Sequence, residues 1–247
     1  MLYHTHYKRY MKKILTFLLV LGAATAQAQD PAGMRLGVKA GATYAKLAGN
    51  DVEQIAGPNY NTSQDQRKLG FNAGLFLQIP VSSDGFFSVQ PEVLLNRRGY
   101  QLETEQKSGL AEGVDKYSFE QTRVLTYIDV LVLGKINTGG LFFELGPQFG
   151  YLARSSSDTE ITTKYNNGQK DRVEKDTGDS KSDLASADLG AVAGLGYQTE
   201  SGLSIGLRYN RGFNSLIDTK DIDNEPKAFN DAFMLQVGYL LPLSLGK

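Results

Sequence analysis

From Leu141 the chain reads LFFELGPQFGYLARS, and every second residue is apolar: Leu141, Phe143, Leu145, Pro147, Phe149, Tyr151. After Phe142 the positions between them are Glu144, Gly146, Gln148 and Gly150. Alternate side chains of a strand point to opposite faces, so one face is bulky and greasy and the other small and polar. The same period of two recurs in segments 34–45, 67–80, 86–100, 117–136, 186–200, 203–213 and 228–243. Glycine is scattered through all of them, which argues against helix.

The connections alternate in length. VSSDG, NTGG and SG are short and suit tight hairpins. Segments 46–66, 101–116, 156–185 and 214–227 are long, polar and charged. This rhythm predicts an all-β fold: an eight-stranded antiparallel up-and-down β-barrel with short turns on one rim and long loops on the other. Transmembrane barrels have that asymmetry. The longest connection holds too little apolar surface to fold alone. Its YNNGQKDRVEKD stretch reads as a solvated outer hairpin, with an extracellular ligand loop as the alternative. DIDNEPKAFND, residues 221–231, has oxygen ligands but not the spacing of an EF-hand loop, so it reads as a solvated loop.

The two faces decide what surrounds the barrel. One face carries Leu36, Val38, Phe71, Leu75, Val93, Leu95, Ile128, Val132, Leu195, Ile205, Leu207, Phe233 and Leu235. The opposite face carries long charged residues interspersed with glycine, such as Gly146, Gly150, Gly194 and Gly206. Glycine on a water-facing strand position packs nothing. Inside a narrow eight-stranded barrel it makes room for long side chains. The greasy face is therefore assigned to lipid and the charged face to the lumen. Tyr44, Tyr100, Tyr117, Tyr151 and Tyr197 are assigned to aromatic girdles. The predicted lumen network is Arg35, Lys39, Glu92, Arg98, Asp129, Lys135, Glu144, Asp188 and Arg208, with Glu144 paired to an Arg or Lys of a neighbouring strand. Buried charges have to be paired, and this mixed set can do that as a structural filling or as a narrow polar conduit. Pro91 and Pro147 each remove a ladder donor, so a bulge or gap is expected at each.

Composition narrows the chemistry. The chain of 247 residues has no Cys, and its two His, His4 and His6, precede the first apolar run. Thiolate and imidazole metal sites and a Ser-His-Asp triad are thereby disfavoured. No cofactor, no metal and no catalytic residues are expected. A carboxylate-pair hydrolase would need a substrate cleft that a filled lumen lacks. Charge is mixed and near neutral, which gives no nucleic-acid footprint. Lys12 and Lys13, the apolar run Ile14 to Leu21 and Ala26-Gln27-Ala28 read as a signal peptide over 1–28, with 1–10 an upstream-start extension. Residues 29–247 are then the exported barrel domain.

RLGVKAGATYAKL, VQPEVLLNRRGY, YIDVLVLGKI, ELGPQFGYL, DLGAVAGLGYQ, LSIGLRYNRGF and LQVGYLL stand in this order along the chain. Together they resemble the outer-membrane β-barrel family labelled "porin family protein", which includes PorT-like proteins. The resemblance spans roughly residues 34–241 and implies that the barrel accommodates both prolines. Two departures stand out. The chain runs past Tyr239 to PLSLGK, where such barrels often end on an aromatic residue read by the insertion machinery, and Leu131 stands where the family would have proline. The expectation is an integral protein of the bacterial outer membrane with a structural or surface-interaction role. Its partners would be outer-membrane lipid, the barrel insertion machinery and an unknown extracellular ligand. The alternatives are a narrow porin passing small solutes and a soluble periplasmic barrel binding an apolar ligand.

Overall fold

The computed structural model describes residues 33–56, 59–64, 67–219 and 226–242. The proposed signal peptide and residues 221–225 of DIDNEPKAFND lie outside them. The strands are β1 (Arg35–Ala48), β2 (Tyr60–Ser63), β3 (Lys68–Pro80), β4 (Phe87–Gln106), β5 (Val114–Thr138), β6 (Leu141–Tyr165), β7 (Arg172–Gly178), β8 (Ala187–Gln198), β9 (Leu203–Gly212) and β10 (Phe229–Leu240). All pairings are antiparallel. Eight strands form a ring in the order β4, β3, β1, β10, β9, β8, β6, β5, which the β4–β5 pairing closes. The first and last strands meet along Gly37↔Leu240 to Ala48↔Phe229. Closure pairs the backbone internally and removes the sheet edges, the condition for crossing hydrocarbon.

The short turns share one rim with Arg35 and Leu240. The tightest is Gly139-Gly140, with φ of 62° and 99°. Positive φ at both central residues matches the twist of the flanking strands, and glycine adopts it without strain. The long connections share the opposite rim, and two of them differ from expectation. β4 and β5 run on to Gln106 and back from Val114 as one uninterrupted hairpin, and β6 continues to Tyr165 and is paired by β7. With β2 on the far side of β4, five strands form a sheet that projects beyond the ring. Polar composition hid this. Residues 157–163 contain alternating Thr and Ile that serve a ladder well, and neither apolar face is required when the neighbouring strands already template the pairing.

The greasy face points outward throughout. Phe143, Leu145, Ile205 and Phe233 are 51%, 64%, 52% and 41% exposed, whereas Glu144 is 5% exposed. The prolines produce gaps without bulges. Pairing of β3 with β4 lapses between Phe76↔Glu92 and Ile79↔Val89, and pairing of β5 with β6 lapses between Leu131↔Gln148 and Gly134↔Leu145. The register is the same on both sides of each gap, and each proline stays paired on its other flank, at Pro91↔Val132 and Pro147↔Ala191. A residue in a ladder directs its N–H to one neighbour only, so a proline costs one flank. The girdle assignment needs correction. Tyr44 and Tyr197 do face outward, but Tyr100 is 2% exposed because it shares the inward parity of Arg98, and Tyr117 lies on the projecting sheet. Tyr209 and Tyr239 face outward in their place.

Candidate functional site in the barrel lumen

Eight of the nine predicted lumen residues sit inside the ring, on inward positions of six strands. They form two groups. The lower one, toward the short turns, centres on Arg208 of β9. Its Nη1 and Nη2 donate to Glu92 Oε2 and Oε1 at 2.7 and 2.8 Å, and Nη2 also donates to Glu144 Oε2 at 2.9 Å. Nε closes a second fork by donating to Glu144 Oε1. One guanidinium therefore joins β4, β6 and β9 across the lumen, using the planar donor geometry that lysine lacks. Lys39 Nζ donates to Glu92 Oε1 at 2.5 Å and lies 4.6 Å from the Phe76 ring centroid. Lys135 Nζ donates to Gln198 Oε1 at 2.5 Å and lies 4.2 Å from the Phe142 ring centroid. Gly194 explains why a glycine faces this group. A Cβ there would sit 2.8 Å from Glu144 Oε1 and 2.9 Å from Arg208 Cγ.

The upper group centres on Arg98, 1% exposed. Its Nη2 donates to Asp188 Oδ2 at 2.8 Å and lies 3.6 Å from Asp129 Oδ1, while the guanidinium stacks 4.0 Å from the Tyr127 ring centroid. Asn96 donates to Asp129 at 2.8 Å, and Asn230 donates to Asp188 at 3.0 Å. A polar chain leads into this group: Gln236 donates to Asn72 at 2.5 Å, Asn72 to Thr43 at 2.9 Å and Thr43 to Asn96 at 3.0 Å. Three cations and two carboxylates below, one cation and two carboxylates above, sum to zero. Arg35 is the exception. It has the inward parity but stands at the short-turn rim, only partly buried, with no ion pair among the described residues. As the first residue of β1 it reaches solvent before it reaches a carboxylate.

Above Arg98 the lumen ends in an apolar plug, which sequence reasoning missed. Leu47, Tyr100, Leu102, Leu125, Tyr127 and Leu152 from the strands meet Val52, Leu184, Leu216, Ile217 and Ala228 from the long loops. The loops are latched by backbone bonds, Ala185 N to Leu216 O at 2.8 Å and Leu216 N to Ala228 O at 2.7 Å. The signal was present: on inward positions Tyr100, Leu102, Leu125 and Leu152 break the polar rule at one end of three strands. Beside the lower group the lumen leaves a cavity of about 20 Å³, lined by Lys39, Lys135, Glu144 and Arg208 among others, room for about one water. Among the described residues no three His, Cys, Asp or Glu converge to hold a metal. A soluble barrel for apolar ligands would carry its greasy face inside. This barrel carries it outside.

Many solved structures are similar to this chain, three of them as follows. Neisserial surface protein A is 11% identical, with 85% of this chain and 99% of that one covered and a TM-score of 0.38. Ail, the attachment invasion locus protein of Yersinia pestis, is 16% identical, with 85% and 99% covered and a TM-score of 0.38. The outer membrane protease OmpT from Escherichia coli is 11% identical, with 84% and 95% covered and a TM-score of 0.29. A search of curated proteins found no match. The family model described as "Outer membrane protein beta-barrel domain" matches residues 25–218, and β10, which closes the ring, follows the matched span. With a closed ring, a lipid-compatible outer face and a family match over most of its length, the chain belongs to the outer membrane protein β-barrel domain family and is a protein of the bacterial outer membrane.

Proposed function

We propose that this protein is a non-conducting, non-enzymatic barrel that anchors a five-stranded sheet at the cell surface, in a structural or surface-interaction role. The observation that carries this reading is the filling of the lumen. A charge network occupies its lower part, an apolar plug its upper part, and the cavity between side chains holds about 20 Å³. A conduit needs weakly held, hydrated groups along a continuous path. Here both carboxylates of the lower group are engaged by Arg208, and the path meets Leu125 and Leu152, each 0% exposed. The same engagement argues against hydrolysis, since a carboxylate pair acting on substrate needs room between its oxygens.

Planar-bilayer recording of refolded protein tests the reading. The expected result is silence at all voltages, and silence is expected to persist in a variant lacking the plug residues Leu216 and Ile217, because the charge network below still fills the lumen. Steady unitary currents from the unaltered protein would establish the narrow-porin alternative. Parallel gels of unboiled and boiled samples verify that the barrel has folded, so silence cannot be mistaken for unfolded protein.

A further inference from the structure

On β1, β3, β4, β9 and β10 the outward face runs apolar from the short-turn rim to a first charged residue, Lys46, Arg67, Arg97, Arg211 and Asp231 in turn, which marks the upper limit of the hydrocarbon. On β4, Val89, Pro91, Val93 and Leu95 are followed by Arg97. The ladder between β3 and β4 stops just there. Phe71↔Arg97 is its last regular pair, and the chains meet again only at an Arg67–Tyr100 bridge, β3 using one residue more than β4 over that interval. The splayed strands leave an outward cleft of about 320 Å³ lined by Lys68, Leu69, Phe71, Arg97 and Val124.

Two features give the cleft a chemical preference. Its wall is greasy and exposed, Leu69 at 76% and Phe71 at 48%, and it continues the lipid-facing band of β3. Arg98, which also borders the cleft, is satisfied by Asp188 in the lumen, but among the described residues the two outer cations, Arg97 and Lys68, have no acidic partner. The Arg97 side chain is exposed and its guanidinium has no hydrogen-bond or ion-pair partner among the described residues. Among the described residues the Lys68 ammonium donates to the neutral Gln101 Oε1, at 3.0 Å. The contrast with Arg67 is direct, for Asp231 neutralises that residue at 2.6 Å. A free guanidinium at headgroup depth beside hydrocarbon calls for an anion that is itself attached to hydrocarbon.

We propose that this cleft binds a phosphate-bearing lipid of the outer leaflet. The Arg97 fork and the Lys68 ammonium hold the phosphate, and Leu69, Phe71 and Val124 hold the first part of an acyl chain. A soluble polyanion would match the charge and leave the greasy wall unused. The assignment rests on the outer-membrane placement of the barrel but not on whether the lumen conducts.

The test refolds the protein into phosphatidylcholine vesicles containing lipid A or its dephosphorylated form and follows the thermal midpoint by the unboiled-gel mobility shift. Phosphorylated lipid A is expected to raise the midpoint by several degrees, and the dephosphorylated form much less. The variant R97Q/K68Q is expected to lose most of that rise, whereas Lys170→Gln, on an exposed loop far from the cleft, keeps it. An equal rise with both lipids, or an undiminished rise in R97Q/K68Q, would overturn the proposal. So would reproduction of the rise by millimolar inorganic phosphate, which would make the cleft a free-anion site. Should the double variant fail to fold, the single R97Q decides by the same criteria. Failure of the unaltered protein to show any mobility shift would instead refute the membrane barrel itself.

Discussion

Two ion pairs of similar length stand in two different parts of this molecule. In the lumen Arg208 and Glu92 meet at 2.7 Å with their side chains 2% and 0% exposed. On the projecting sheet Lys175 and Glu160 meet at 2.9 Å with theirs 73% and 47% exposed. Distance does not separate them, but solvent does. On the sheet each ion keeps most of its hydration, and ordering two long side chains cancels much of the Coulomb gain. In the lumen the hydration has been given up in advance, so each ion depends on its partner and on the hydrogen bonds around it. The network therefore need not make the barrel more stable than a greasy lumen would. It makes the barrel intolerant of losing any one member. The sheet, by contrast, can change its charges without endangering the barrel.

Removing Arg208 is the strongest way to test this contrast. Among the described residues Arg208→Met leaves Glu92 with only Lys39 as a cationic partner and strips Glu144 of both hydrogen bonds of its fork. The expected cost is about 3–5 kcal/mol of folding free energy, read from urea titration of folding into vesicles. Lys175→Met on the sheet is expected to cost less than about 1 kcal/mol in the same assay. Comparable losses for the two variants would mean that the lumen is wet and that burial does not govern these pairs.

The contrast also explains what could be read from sequence. The eight ring strands were legible because a lipid face and a packed lumen impose the period of two on every residue, so Glu144 and Phe143 declare opposite environments. Pairing partners within the lumen were not legible. Arg208 meets Glu92 and Glu144 across the ring, and which inward residues share a level depends on barrel stagger, a property of all the strands together. Arg35 went astray for that reason, since parity places it inward but not at what height. The plug was overlooked because Leu184, Leu216 and Ile217 lie in loops whose composition is otherwise polar. The projecting sheet was missed because the pair it buries between β2 and β4 is polar, Thr62 with Thr104, and β7 is exposed at every position, so no apolar alternation marks it.

Between the two regimes lies Arg123 with Asp183, where a loop is tied to the barrel wall. Arg123 Nη1 and Nη2 donate to Asp183 Oδ2 and Oδ1 at 2.8 and 3.1 Å, with the two side chains 8% and 45% exposed. The paired hydrogen bonds from Arg123 hold the Asp183 carboxyl below the usual aspartate range. A carboxyl whose folded pKa is depressed contributes stability above its unfolded value and loses it as pH falls through the folded value. The adjoining Leu184, which enters the plug, should accordingly loosen from about pH 4 downward. Hydrogen exchange over residues 183–186 and 216–218, corrected for intrinsic rates, should rise in acid for the unaltered protein. Asp183→Asn should show the faster exchange already at pH 7 and little further change in acid. A variant that keeps the full acid response would assign the loosening to another group.

The smallest effect belongs to the sheet alone. Glu103, Glu120 and Glu160 are directly opposite one another across β4, β5 and β6, and all three are exposed. Like charges at facing positions repel, and only Glu160 has an ion-pair partner among the described residues, Lys175. Glu120→Gln removes the central charge while retaining a carbonyl oxygen for the hydrogen bond that Gln101 donates to it. The substitution should stabilise the projecting hairpin by a few tenths of a kcal/mol at low ionic strength. At 1 M salt, where the screening length is about 3 Å, the gain should vanish. Amide exchange along residues 101–106 and 118–122 reads both conditions locally, without unfolding the barrel. Slower exchange in the variant at low salt, converging with the unaltered protein at high salt, is the expected pattern. A gain that survives salt would have to arise from packing, and the sheet would then share the lumen's dependence on fit.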